Sequence, residues 1–112
     1  MNPSERTVLV ASEAGISVSS LEDIPELLGQ SYGFEGLLLT EGELGPEFFD
    51  LRSGLAGELF QKCTNYRLKL ALVLPDPGAH GERFAELAFE HRAYRLIRFF
   101  GRLEEAWAWL ER

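Results

Sequence analysis

Ser53 is the first side chain with chemistry to offer. It stands in Phe48-Phe49-Asp50-Leu51-Arg52-Ser53-Gly54, directly ahead of an amphipathic run that reaches Lys62 and Cys63. A hydroxyl at the head of a helix satisfies one of the backbone N–H groups that have no partner within the helix. That structural role is the ordinary one, but the hydroxyl is also well placed for phosphorylation. The helix N-terminus stabilises added negative charge, and neighbouring Arg52 could pair with a phosphoryl group. The two readings remain open.

Other groups compete with Ser53. Glu41, Glu43, Glu47 and Asp50 cluster around one connection and could do acid–base work or hold a cation. Without an Asp-x-Asp loop, a solvated connection is the simpler reading. Glu58 and Lys62 are spaced i, i+4 in the favourable order, which describes a solvated helix pair. A ligand-binding role for Lys62 would require burial. Asn65 tolerates the left-handed conformation needed to end that helix. Cys63 falls on the inner face and behaves as a small hydrophobe; a nucleophilic role needs an adjacent His. The two histidines, His80 in a polar loop and His91 on an apolar stripe, match no metal-ligand spacing. No Walker loop, dinucleotide glycine motif, serine elbow or zinc motif occurs, so no metal, cofactor or covalent chemistry is expected.

These residues need elements to position them. Thr7–Ser12 reads as a strand and Ile16–Ser20 as a second, joined as a hairpin. A helix with Leu21, Ile24 and Leu28 follows, with Ser20 as its cap and Gly29 and Gly33 at its end. Residues 36–41 form a buried strand. Leu55, Ala56, Leu59, Phe60 and Cys63 share one helix face, and Phe48 or Phe49 anchors the connection before it. Residues 67–74, with leucines at 68, 70, 72 and 74, form the strongest strand. Arg67 and Lys69 between the leucines predict one exposed face at that end. Phe84, Leu87, Ala88 and His91 stripe a third helix, residues 94–100 a strand, and Leu103, Ala106, Trp107 and Leu110 a closing helix with Trp109 outward. The order β-β-α-β-α-β-α-β-α predicts an α/β domain over 1–112, with a mixed, mainly parallel sheet and helices chiefly on one face.

Composition narrows the function. A hydrophobic fraction of 46% in 112 residues is enough for one core. Eighteen acidic against eleven basic residues give a net charge of −7, which disfavours nucleic acid and anionic membranes as partners. Arg92, Arg95, Arg98 and Arg102 are interleaved with core positions and line no single stripe. One cysteine excludes an internal disulfide. With no signal peptide or spanning segment, a cytoplasmic setting is expected.

The stretch Gly45–Val73, the later Phe89-Glu90-His91 and the terminal Glu104–Leu110 resemble DUF4180, a family of small bacterial proteins without assigned activity. The most specific pieces are "FFDL", "AGE", "QK" and "NY". Where that family usually has Glu-x-Asn, this chain reads Glu90-His91-Arg92. The element order also resembles the STAS domain of anti-sigma-factor antagonists, in which a phosphorylated Ser precedes Gly-Leu at a helix start. Ser53-Gly54-Leu55 matches that triplet. Arg52 stands where the motif has its first Ser, and Leu51 where it has Asp. The resemblance implies a non-enzymatic regulatory or protein-interaction module, switched at Ser53 and able to form a homodimer. The alternative is a small-ligand or catalytic domain whose pocket, near the carboxyl ends of the strands, uses Glu41, Asp50, Lys62 and Glu90. Arg52, Glu58 and Asn65 complete the candidate pocket or interaction residues.

Overall fold

The computed structural model describes residues 7–111. Four strands form the sheet: β1 Val8–Val10, β2 Gly36–Thr40, β3 Lys69–Val73 and β4 Ile97–Phe100. They lie in the order β1-β2-β3-β4, and every neighbouring pair is parallel. Among the described residues the α-helical segments are α1 Ala11–Ala14, α2 Asp23–Ser31, α3 Pro46–Phe49, α4 Leu55–Asn65, α5 Glu82–Glu90 and α6 Leu103–Leu110.

The expected opening hairpin does not form, so the sheet is parallel rather than mixed among the described residues. Ala11-Ser12-Glu13-Ala14 closes a helical turn after three strand residues, with Gly15 as its left-handed cap. Good helix formers ahead of a glycine cap compete successfully with the β-branched residues before them. Ile16 and Val18 are buried as their alternation suggested. Val18, however, makes a single parallel bridge to Leu44, through bonds to Glu43 and Leu44's neighbour Gly45, instead of joining the sheet.

The strand alternation sorts the core into two layers. Leu9, Leu37, Leu39, Leu70, Leu72, Ile97 and Phe99 face α1 to α5, which contribute Ile24, Leu27, Phe48, Leu59, Cys63, Phe84 and Ala88 among others. Val8, Leu38, Ala71 and Val73 face the opposite way, onto Ala106, Trp109 and Leu110 of α6. The helices therefore lie chiefly on one face, as predicted. The second face at β3 is nevertheless covered: Ala71 and Val73 are buried, and only Lys69 is half-exposed.

Local signals fared unevenly. All five inward positions expected of α4 are buried. Ser20 does not cap α2 with its side chain; the Asp23 carboxylate instead accepts from the Ser19 and Ser20 N–H groups at 2.7 and 3.1 Å. Gly29 lies inside α2 rather than at its end. In α6 the expected face is rotated: Trp109 is buried, Trp107 only partly so, and Leu103 is exposed. Positions 106, 109 and 110 satisfy helical spacing as well as 106, 107 and 110 do. Packing on the sheet's second face selects Trp109, whose ring lies 5.3 Å from Lys69 Nζ and 5.1 Å from the Arg98 guanidinium.

Candidate functional site

The segment 46–55 is built around two phenylalanines. Pro46 opens α3 at a position where its missing N–H costs nothing. Phe48 is fully buried and meets Phe49, Phe60 and Phe84 edge-on, with ring centroids 5.6 to 6.3 Å apart. Burying such a ring contributes about 1.5–3 kcal/mol, which holds the connection against the core. The chain then makes a 3₁₀ turn, Leu51–Ser53, capped by the Asp50 carboxylate accepting from the Arg52 N–H at 3.1 Å. The Arg52 guanidinium is almost fully exposed and only 3.7 Å from Asp50.

Ser53 occupies the joint between this turn and α4. Its hydroxyl donates to the Glu47 carbonyl at 2.8 Å and accepts from the Leu55 N–H at 3.1 Å. The capping role expected of Ser53 is therefore present, but displaced by one residue. Gly54 is the backbone cap, at φ 81°, a left-handed conformation that strains any residue with a Cβ. The serine serves the first helical N–H from one position further out.

Between α2 and α4 lies an open groove of about 1060 Å³. Leu21, Pro25, Leu28, Gly29 and Tyr32 form one wall, and Gly54, Glu58, Lys62 and Tyr66 the other. Glu58 and Lys62 make the expected i, i+4 pair at 3.7 Å, both partly exposed. Asn65 is exposed and accepts from Gln61 on the same helix at 3.0 Å. Tyr32, Tyr66 and Leu21 are 90%, 69% and 47% exposed.

The carboxyl ends of β2 and β3 carry a different constellation. Thr40 and Glu43 form a capping box on the turn after β2. Glu41 Oε2 lies 2.8 Å from His80 Nε2, across 39 positions of sequence. The His80 ring stacks on Phe49, centroids 3.6 Å apart and ring planes nearly parallel. His80 stands in the turn after β3, and only the adjacency of β2 and β3 brings it beside the turn after β2. Phe49 and the Glu41 carboxylate were visible; their shared partner was not.

The polar groups expected at one pocket do not converge. Glu41 and Asp50 belong to connections that follow β2, Lys62 belongs to the α2–α4 groove, and Glu90 ends α5, whose direction carries it toward the amino end of β4. Glu90 is exposed. His91 is half-buried, with Nδ1 2.9 Å from the Leu87 carbonyl. Cys63 is buried without any exposed surface, and that burial pushes its thiol up to about 12. A thiol so reluctant to ionise is a poor nucleophile. Among the described residues no three His, Cys, Asp or Glu side chains are grouped to hold a metal ion. No helix there is long and apolar enough to cross a membrane.

Parallel topology, a sheet flanked on both faces and an open groove between two helices define a small parallel α/β domain with a surface cleft. The chain belongs to the domain of unknown function family DUF4180, whose sequence profile matches residues 3–110. No curated protein and no solved structure matches it.

Proposed function

We propose that this protein is a non-enzymatic, cytoplasmic regulatory module that receives a segment of a partner protein in the α2–α4 groove. One observation carries the reading: Leu21, Tyr32 and Tyr66, three of the large apolar side chains most open to solvent, all line that groove. Tyrosines are favoured anchors at protein interfaces because a large rigid ring ends in a hydrogen-bonding group. The Glu58–Lys62 pair supplies polar groups on the same wall. The STAS likeness adds a switch. Ser53 directly precedes Gly54, the first residue of that wall, and a phosphoryl group on its oxygen would displace the proton donated to the Glu47 carbonyl and place negative charge beside Gly54.

Affinity capture with purified wild-type protein and a Tyr32→Ser/Tyr66→Ser variant tests the groove. A partner retained by the first and lost by the second is the expected result. A partner retained equally by both sinks the groove reading. The switch is tested in the same assay by Ser53→Asp, which should lose the partner that Ser53→Ala keeps.

A small-ligand or catalytic reading is favoured by the Glu41–His80 pair, since ligands of open α/β sheets bind outside the carboxyl ends of the strands. Thermal melts against a metabolite panel separate it from the first reading. A stabilisation abolished by His80→Ala but untouched by the groove substitutions favours the ligand.

A further inference from the structure

We infer that the connection between α5 and β4, with the adjoining ends of β3 and β4, is a docking surface for an acidic segment of another protein. The surface is separate from the α2–α4 groove. Residues 91–102, His-Arg-Ala-Tyr-Arg-Leu-Ile-Arg-Phe-Phe-Gly-Arg, carry four arginines and no acid in a chain whose net charge is −7. In sequence these arginines are spread among core positions; the fold gathers three of them. Arg92 and Arg95 are exposed in the connection itself, and Arg98 in β4 folds back to it, donating to the Tyr94 and Ala93 carbonyls. Lys69, on the next strand, reaches the same Trp109 ring that Arg98 covers.

Among the described residues, nothing of opposite charge answers these cations. The ion pairs among the described residues join Arg52 to Asp50, Lys62 to Glu58, His80 to Glu41 and Arg102 to Glu104. Among those residues Arg92, Arg95, Arg98 and Lys69 have no carboxylate partner, although acidic residues outnumber basic ones in the chain. Glu90, two positions from Arg92, is exposed and makes no pair with it. The Arg92 and Arg98 guanidinium groups are held by neutral contacts instead. Arg92 lies 3.7 Å over the Phe89 ring and donates to the Phe89 carbonyl at 2.8 Å. Arg92 and Arg95 are exposed, and a positioned arginine fork such as that of Arg92 is suited to carboxylates.

Aromatic surface accompanies the charge. Phe89 is 63% and Tyr94 is 53% exposed, and the Tyr94 ring sits 4.2 Å from that of His91. Arginine beside exposed aromatic side chains is the composition of interface hot spots. The acidic remainder of the chain opposes a long polyanion such as nucleic acid, whereas a short acidic segment with apolar residues meets only the local field.

The test uses a fluorescent peptide of alternating glutamate and leucine, with its lysine–leucine counterpart and a single-stranded oligothymidylate as comparison probes. The acidic peptide should bind, weaken as salt rises, and lose about tenfold in affinity with Arg95→Glu, an exposed side chain with no hydrogen bond or ion pair among the described residues. Arg92→Glu should act in the same direction, and Arg83→Glu, on the exposed side of α5, should not. Equal binding by wild type and Arg95→Glu overturns the inference. So does binding of the oligothymidylate in preference to the peptide, binding of neither, or sedimentation showing that the patch serves only self-association.

Discussion

Replacing Ser53 by alanine removes one oxygen and two hydrogen bonds. The Leu55 N–H loses its acceptor at 3.1 Å, at the head of a helix whose first residue is fully buried. The Glu47 carbonyl loses its donor at 2.8 Å but lies where water can replace it. The first loss dominates, and a missing helix cap costs about 1 kcal/mol. For a chain of this size the melting temperature should fall by about 4 °C. Ser53→Thr keeps both bonds and should stay near wild type. Ser53→Asp replaces the acceptor and gains from the helix N-terminus, but its carboxylate cannot donate to the Glu47 carbonyl and would face it. Aspartate should therefore fall near alanine in stability, not near serine. Urea unfolding with unchanged slope measures all three. An alanine variant within about 0.3 kcal/mol of wild type, or an aspartate variant more stable than it, would refute the argument that the hydroxyl is held by both of its partners.

Cys63 makes stability pH-dependent at the alkaline end. Its thiol ionises near 9.0 when exposed and near 12 in the fold, because burial disfavours the thiolate. Between those values the unfolded chain releases a proton that the folded chain keeps, so stability falls as pH rises, by about 1.4 kcal/mol per unit. Compared with Cys63→Ala, wild type should lose that extra amount per unit above about pH 9 and nothing below it; parallel curves in urea melts would contradict this. At Gly36 an added Cβ would stand 2.9 Å from Leu110 Cδ2, so Gly36→Ala should destabilise by about 1–3 kcal/mol unless Leu110 is also shortened. Gly29, by contrast, lies within α2 with no atom inside 4 Å of a Cβ. Gly29→Ala should stabilise by about 0.5–1 kcal/mol in thermal melts, and a loss of stability would refute the claim that a methyl group fits there.

Particular residues show where the sequence was sufficient. The apolar spacing of Leu55, Ala56, Leu59, Phe60 and Cys63 determined the buried face of α4, because a helix has one arc to bury and these positions fill it. The leucines at 68, 70, 72 and 74 determined β3 and its inner face, and all four are buried. Phe48 could be expected to anchor its connection from size and hydrophobicity alone. The family, too, was legible in the pieces around Phe48–Tyr66.

Tertiary structure decided the rest. Val10-Ala11-Ser12 could continue a strand or turn into helix, and the choice depended on Gly15 and on what Ala11 packs against. Trp107 and Trp109 are equivalent by helical period; the sheet's second face broke the tie by enclosing Trp109 between Lys69 and Arg98. Glu41 and His80 are 39 residues apart, and no local pattern links them. They meet because two parallel strands place the turns that follow them side by side. The same adjacency of β3 and β4 gathers Lys69, Arg92, Arg95 and Arg98 into one basic surface. Periodicity reports how a segment meets an apolar environment, so it settles helix faces and core strands. Which segments become neighbours is a matter of long-range pairing, and it was that pairing which brought the charged side chains of this protein together.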